Sequence, residues 1–233
     1  MTPHVHRAFA SGDGELGGTL DLAAEDRRHL ERVLRMRDGA SLEIVDASGT
    51  VYAAELEAGG RVRLTALVER RSRGPAPAVW LGTAGGRGDL AVEKLTELGV
   101  REIGALVCEG TSGRFRLDRW TRVAHAAGRQ SKRADLPAMA GPTPFEEVVA
   151  RPGAIVLDHE ADDAVPFRAP QDAVLLIGPE SGLREHEREL ARVHGAPLAR
   201  LGDGVVLRSE TAAIVAAALA VFGRPDNPRS AGG

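Results

Sequence analysis

Two segments near the C-terminus combine glycines with charged side chains, and together they could bind a ligand and act on it. In 175–182, an apolar run leads into a glycine–proline turn and Glu180, and in 201–212 a glycine loop leads into Arg208 and Glu210. Glycines allow backbone N–H and C=O groups to approach a ligand closely. A carboxylate there could accept a proton, and the guanidinium could stabilise developing negative charge. Each segment alone is equally consistent with a turn that caps the following helix.

A third glycine-rich segment suggests a different ligand. Gly86, Gly88 and Ala91 fit the dinucleotide pattern G-x-G-x-x-G/A, and Glu109 stands where a ribose-binding acid would follow the next strand. These residues predict a nicotinamide-cofactor site. The alternative is a tight turn into a helix whose first residue is capped by Asp89.

The N-terminal part of the chain is predicted to form a small antiparallel sheet or barrel that stands apart from these segments. Short stretches of alternating polar and apolar residues, separated by turn residues, lie at 41–46, 51–57 and 61–68. One helix is predicted over 23–36. A proline-containing linker at 72–77 divides the chain into predicted domains 1–72 and 73–233.

The remainder alternates strands and helices, which is typical of an α/β fold with a mostly parallel sheet and helices on both faces. Strands are predicted at 78–83, 103–108, 154–158, 173–178 and 197–201. Helices are predicted at 90–98, 117–128, 184–194 and 209–222. Because the last helix is almost wholly apolar, it must be buried in a core or a subunit interface. Asp158–Glu160 follows a strand and could either rim a pocket or form a solvated loop.

Composition excludes several classes of protein. The chain has 233 residues with 43% hydrophobic and 27% charged residues, so it is neither disordered nor collagen-like. No apolar run approaches the roughly 20 residues of a membrane-spanning helix, and no signal-peptide stretch begins the sequence. Cys108 is the single cysteine, and His4 and His6 have no evident third ligand. We therefore expect a cytoplasmic protein with no membrane contact and no metal site.

Arginines cluster in three places on this chain, whose net charge is −3. The clusters lie at 27–37, 61–73 and 114–133. Local concentrations of positive charge on an acidic chain suggest contact with a polyanion such as RNA. The alternative is a set of solvated helix faces in an arginine-rich protein, since Lys94 and Lys132 are the only lysines.

Five segments, in this order along the chain, resemble the RsmE family of small-subunit ribosomal RNA methyltransferases in the SPOUT superfamily. They are Arg32–Met36, Glu93–Val100, Gln130–Arg133, Ile177–Gly182 and Leu207–Ala212. The resemblance implies a PUA-like β-barrel that helps to hold RNA, followed by a SPOUT domain with a deep trefoil knot. It also implies a homodimer whose cofactor site lies near the subunit interface. The expected reaction moves a methyl group from S-adenosylmethionine to N3 of a uridine in 16S rRNA, within the small ribosomal subunit.

The resemblance also assigns roles to individual residues. Arg208, Glu180 and Glu210 are the catalytic candidates; Arg208 is preferred as the electrostatic residue, and the base stays open between the carboxylates. The expected cofactor-binding residues are Leu157, Ile177, Gly178, Pro179, Glu180, Gly182, Leu201, Gly202, Val206, Leu207 and Thr211. The expected RNA-binding residues are Arg32, Arg35, Arg129 and Arg133. For Arg32 and Arg35 the alternative is a helix that braces the two domains.

Two departures from the family pattern bear on the cofactor site. Ser181 stands where the family usually has glycine, and the stretch 202–207 is one residue longer than usual and lacks a common basic residue. Two other functions therefore stay open. One is an inactive RNA-binding module, and the other is an NAD(P)-dependent enzyme that uses the loop around Gly86.

Overall fold

The computed structural model describes residues 5–70, 75–202 and 206–223, and the chain divides into two compact units. The N-terminal unit comprises residues 1–73 together with Gly128–Asp135, and the C-terminal unit comprises the rest. The predicted boundary between residues 72 and 73 lies outside the described residues. The limits of the two domains therefore stay a prediction.

The N-terminal unit is a closed five-stranded barrel, as the resemblance implied. Its strands are β1 (Arg7–Ser11), β2 (Thr19–Leu22), β3 (Ser41–Val45), β4 (Thr50–Glu57) and β5 (Arg61–Arg70). They follow the order β1-β2-β5-β4-β3 around the barrel. The parallel pairing of β1 with β3 closes the ring, and the other pairs are antiparallel.

The helix predicted over 23–36 is shorter and less regular than expected. Helix α1 covers Ala24–Arg28, and a π-helical segment, His29–Val33, continues it. Leu30 in that segment is almost fully buried in the core of the barrel. The helix cannot continue because Arg35 takes a left-handed conformation with φ of 50°.

A buried ion pair joins residues 128–135 to the barrel. The Asp26 carboxylate, of which 1% is exposed, accepts a hydrogen bond from the Phe9 backbone N–H at 3.1 Å. Its other oxygen accepts one from the Arg129 guanidinium at 2.5 Å. Arg129 was predicted to contact RNA, but here its side chain is largely buried against a carboxylate.

The C-terminal unit contains a seven-stranded sheet in which every observed pairing is parallel. Its strands are β6 (Ala78–Leu81), β7 (Glu102–Val107), β8 (Ala138–Pro144), β9 (Ala154–Leu157), β10 (Val165–Pro166), β11 (Val174–Ile177) and β12 (Leu198–Arg200). Their order across the sheet is β10-β12-β9-β11-β6-β7-β8. Its helices are α2 (Gly85–Leu98), α3 (Leu117–Ser131, whose last turn belongs to the N-terminal unit), α4 (Phe145–Val149), α5 (Glu185–Val193) and α6 (Ser209–Phe222).

Helices cover both faces of this sheet, which confirms the predicted α/β architecture. Alternate strand residues such as Val79 and Leu81 pack with α2, α3 and α6 in one core. Their neighbours, such as Ala78 and Trp80, pack with α4 and α5 in the other core. This alternation is the two-residue period of a strand that is buried on both sides.

One predicted helix cap is wrong. Helix α2 begins at Gly85, so Asp89 lies inside it and pairs with Arg119 at 2.5 Å instead of capping the helix. Helix α6 has Arg208 at its N-cap position, and Ser209 is its first residue. The predicted end of α2 is correct, because Gly99 takes the left-handed conformation that terminates many helices.

The remaining global predictions meet the structure only in part. No helix among the described residues is long and apolar enough to span a membrane. The trefoil knot would involve the loop that contains residues 203–205, which lie outside the described residues, so the knot stays a prediction.

Cys108 is buried, and burial together with Glu187 raises the pKa of its thiol. The thiol is therefore protonated at neutral pH and is not a nucleophile.

We predict that Asp26→Ala destabilises the barrel by about 3 kcal/mol, because it leaves the Arg129 guanidinium and the Phe9 N–H without their buried partner. Hydrogen exchange at the amides of β1 to β3 measures this loss. The control is Glu31→Ala, which removes the exposed Arg27–Glu31 pair and should cost less than about 0.5 kcal/mol. Equal losses in the two variants would show that the buried pair does not stabilise the barrel.

Candidate active site

A cavity of about 340 Å³ opens at the edge of the sheet where the parallel strands end. Leu157 at the end of β9, Ile177 at the end of β11 and Arg208 before α6 all line it. The carboxyl ends of parallel strands are where open α/β sheets bind ligands. The cavity is therefore the first candidate for the site.

The turn after β11 forms one wall of the cavity, and glycines shape it. Gly182 has φ of 74°, and its N–H donates to the Pro179 carbonyl at 3.0 Å, which closes the turn. A Cβ on Gly178 would lie 3.0 Å from the Leu183 side chain. The wall therefore presents main-chain groups and little side-chain bulk.

Gly82, just after β6, fixes the position of that turn. Its N–H donates to the Ile177 carbonyl at 2.8 Å, which continues the pairing of β6 with β11. A Cβ at Gly82 would lie only 2.6 Å from the Pro179 backbone nitrogen and 2.8 Å from the Gly178 carbonyl carbon. Any side chain at this position would force the turn away from its place against β6.

Two side-chain contacts hold the turn to neighbouring loops. The Ser181 hydroxyl donates to the Gly110 carbonyl at 3.1 Å. The Arg87 guanidinium donates to the Glu180 carboxylate at 3.3 Å, and both residues line the cavity. The departure from glycine at position 181 thus adds a tether between the turn and the loop after β7.

The loop after β9 also lines the cavity, with two acidic residues, Asp158 and Glu160. The buried Asp158 carboxylate accepts hydrogen bonds from the Glu160 N–H at 2.8 Å and from the Arg188 guanidinium at 2.7 Å. Arg188 also donates to the Glu160 carboxylate at 2.9 Å. The bond to Asp158 raises the pKa of the Arg188 guanidinium still further, so it stays charged. Arg188 on α5 therefore clamps the loop whose residues 158–160 line the cavity.

Most of the predicted cofactor-binding residues meet at this cavity. Those lining it are Leu157, Ile177, Gly178, Pro179, Glu180, Gly182, Val206 and Leu207. Leu201 lines an adjoining cavity of about 50 Å³ that shares Leu157 and Leu207. Gly202 and Thr211 line neither cavity. The longer stretch 202–207 lies partly outside the described residues, because 203–205 are not among them. The roles of all these residues stay predictions.

The catalytic candidates separate in the structure. Arg208 is exposed to the cavity, and no carboxylate among the described residues pairs with it. Glu180 also lines the cavity. Glu210 is 7% exposed and does not line it, and its Oε2 atom has no hydrogen-bond partner among the described residues.

The predicted RNA-binding residues also divide into two kinds. Arg32 and Arg35 are exposed, and neither pairs with a carboxylate in the described parts of the chain. Arg129 and Arg133 are mostly buried in ion pairs with Asp26 and Asp135 respectively. RNA contact by Arg32 and Arg35 stays a prediction.

In the segment around Gly86, the glycine with a packing role is Gly88. Gly88 is buried, and a Cβ there would lie 2.8 Å from the Thr83 carbonyl and 3.1 Å from the Trp120 ring. Glu109 does not line the cavity, and its exposed carboxylate lies 3.4 Å from His186 Nδ1. The residue of this segment that lines the cavity is Arg87.

Sequence reasoning missed two residues that shape the site. The sequence contained no signal for Gly82 or for the contact of Arg87 with Glu180, because both depend on the pairing of β6 with β11. The sequence left open whether residues 158–160 rim a pocket or form a solvated loop. In the structure they line the cavity.

The sequence is similar to known RNA methyltransferases over most of its length. Residues 78–221 match the RNA methyltransferase domain family, and residues 22–69 match the RNA methyltransferase PUA domain family. A Mycobacterium bovis protein named ribosomal RNA small subunit methyltransferase E is 32% identical over 225 residues, covering 87% of this chain and 86% of that protein. A Synechocystis protein of the same name is 30% identical over 233 residues, covering 92% and 76%.

Solved structures agree with the sequence comparison. A Legionella pneumophila protein described as a putative methyltransferase, in complex with the cofactor SAM, superposes with a TM-score of 0.82 at 26% identity, covering 93% of this chain and 97% of its own. A Neisseria gonorrhoeae ribosomal RNA small subunit methyltransferase E, bound to S-adenosylmethionine, superposes with a TM-score of 0.80 at 26% identity, covering 92% and 96%.

We predict that Gly82→Ala weakens S-adenosylmethionine binding by about tenfold or more, a loss of about 1.4 kcal/mol, because the added methyl displaces the turn at Pro179. Calorimetric titration measures the dissociation constant. The control is Gly86→Ala, where an added Cβ meets nothing within 4 Å and should leave the affinity unchanged. Equal affinities in the two variants would contradict the role given to Gly82.

Proposed function

The chain belongs to the ribosomal RNA small subunit methyltransferase E family, and from this membership we propose that it methylates N3 of a uridine in 16S rRNA with S-adenosylmethionine. The observation that carries the proposal is the cavity at the sheet edge. Two of the segments that resemble the family, 177–182 and 207–212, contribute to one wall each of that cavity although they are separate in sequence.

The cavity suits S-adenosylmethionine in size and in the backbone groups that it presents. Its volume of about 340 Å³ falls within the range of about 300–1,000 Å³ that small-molecule sites occupy. Glycines on the turn leave backbone groups free for the adenine and ribose. When bound, the cofactor supplies a methyl group that is activated on a sulfonium, so the protein has mainly to position the reactants.

Uridine N3 carries a proton that must leave, and Glu180 is the carboxylate that is placed to accept it. It lines the cavity, with 37% of its side chain exposed, and the Arg87 guanidinium balances its charge. Glu210 is buried away from the cavity at the first turn of α6, where a negative charge stabilises the helix N-terminus. We therefore assign the base to Glu180 and a structural role to Glu210.

Arg208 is assigned to the negative charge that develops on the uracil oxygens as N3 loses its proton. Arg208 has an extended backbone at the N-cap of α6 and lines the cavity. No carboxylate among the described residues pairs with its guanidinium. A preformed positive charge at such a point typically lowers the barrier by several kcal/mol.

The same membership supports a proposal for the partners. We propose a homodimer in which α6 lies at the interface, because Leu219 and Phe222 on this apolar helix are 47% and 69% exposed. The RNA partner is 16S rRNA within the small ribosomal subunit, which places the protein in the cytoplasm.

The proposed function predicts that the purified protein binds S-adenosylmethionine and does not bind NAD in calorimetric titrations. It also predicts methyl transfer to small subunits that lack the modification, with the product identified as 3-methyluridine. Binding of NAD alone would favour the enzyme that uses the loop around Gly86. Binding of neither ligand would favour the inactive RNA-binding module.

We predict that Arg208→Ala lowers kcat by about 10²–10³-fold, because the lost guanidinium acts on the transition state. The dissociation constant of S-adenosylmethionine should change by less than about threefold. Methyl-transfer kinetics and calorimetry measure the two quantities separately. The control is Arg168→Ala, which removes an exposed arginine away from the cavity. Loss of cofactor affinity in proportion to kcat would show that Arg208 only holds the cofactor.

A further inference from the structure

A second cavity of about 650 Å³ lies in the C-terminal unit, apart from the proposed methyl-transfer site. The loop between β7 and α3 forms most of it, and β8 adds one wall. Its lining residues are Arg114, Phe115, Arg116, Leu117, Asp118 and Pro142.

Positive charge at this cavity is uncompensated. Other arginines of the 114–133 cluster are committed to carboxylates: Arg119 to Asp89, Arg122 to Asp118, Arg129 to Asp26 and Arg133 to Asp135. By contrast, Arg114 and Arg116 are exposed, and no carboxylate in the described part of the chain pairs with either. The one acidic residue of the cavity, Asp118, lies 3.3 Å from the Arg122 guanidinium.

Phe115, which lies between these two arginines in the sequence, adds an aromatic ring to the same cavity. Phe115 packs edge-to-face on Trp120, with ring centroids 5.7 Å apart and an interplanar angle of 74°. Because Trp120 is buried in the core, the ring is held in place while part of it remains accessible. Leu117 and Pro142 extend this apolar surface.

The loop that carries these residues is tied to the walls of the first cavity. The Gly110 carbonyl accepts the hydrogen bond from Ser181 on the turn after β11. Gly113 lies against Ala84, with its Cβ position 3.6 Å from the Ala84 methyl, and Ala84 precedes the turn that carries Arg87. The loop that carries Arg114 therefore lies at the same edge of the sheet as the first cavity.

We propose that Arg114, Phe115 and Arg116 bind a nucleotide of single-stranded RNA that flanks the target uridine; this inference rests on the proposed function. The two guanidinium groups take the phosphates on either side of that nucleotide, and its base stacks on Phe115. Sequence-tolerant stacking on an aromatic ring flanked by cations is a common way to hold single-stranded RNA. Arg129 and Arg133 are less suited to this role, because their guanidinium groups already form ion pairs with carboxylates of the protein.

The test compares the double variant Arg114→Ala/Arg116→Ala with the wild type and with Arg168→Ala, another exposed arginine of the same unit. We measure RNA affinity as a function of salt, methyl-transfer kinetics and the affinity for S-adenosylmethionine. We expect KM for the RNA substrate to rise at least tenfold, with kcat and cofactor affinity within twofold of the wild type. The slope of log affinity against log salt should fall by about 1.4, which corresponds to two phosphate contacts on a single strand.

A second variant separates stacking from charge. Phe115→Leu should raise KM for RNA by about threefold to tenfold and leave the salt slope unchanged, since the guanidinium groups remain. If the double variant matches Arg168→Ala in KM and in salt slope, the proposal is wrong. It is also wrong if cofactor affinity falls together with RNA affinity, because the loop would then serve only to support the first cavity.

Failure of the proposed function gives a different pattern. In that case the wild type neither binds S-adenosylmethionine nor transfers a methyl group. The RNA affinities and salt slopes of the variants still decide whether the second cavity binds RNA, because neither measurement needs the reaction.

Discussion

The close approach of two backbones determines the site. Gly82 after β6 lies so near Pro179 that only a residue without a side chain fits between the strand and the turn. This approach is a consequence of the parallel pairing of β6 with β11, which the bond from Gly82 to Ile177 extends past the last strand residues. With the turn fixed there, Glu180 comes within reach of Arg87. The ion pair of Arg87 and Glu180 is therefore placed by main-chain packing.

Short-range patterns in the sequence predicted the elements that depend on local chemistry. The bounds of α6 were predicted correctly because its apolar run has clear ends. The strands of the C-terminal sheet were located to within a few residues, except for β8 and β10, which were not predicted at all. In β8, glycine and two prolines hid the strand, since these residues usually mark turns.

Features that depend on distant residues could not be predicted in this way. The pairing of Asp26 with Arg129 joins residues 103 positions apart, and nothing in the arginine cluster marks Arg129 as a partner for a buried acid. The helix predicted over 23–36 stops early because Arg35 takes a left-handed conformation that its residue type does not favour. The residues that line the cavity were mostly predicted through resemblance to a family, and their chemistry alone left turns and caps as equal alternatives.

Ion pairing with carboxylates also decides which of the many arginines can bind a polyanion. An arginine that is already bonded to a buried carboxylate, as Arg188 is to Asp158, stabilises a loop and has little free charge to offer a phosphate. An exposed arginine without such a partner keeps its full interaction with a polyanion, which is screened only by salt. Counting basic residues along the sequence treats the two kinds alike. Because this chain carries slightly more acid than base, most of its arginines can be neutralised internally. Of the arginines that have no carboxylate partner among the described residues, Arg114 and Arg116 line one cavity together, and the proposed RNA contact uses the free positive charge there.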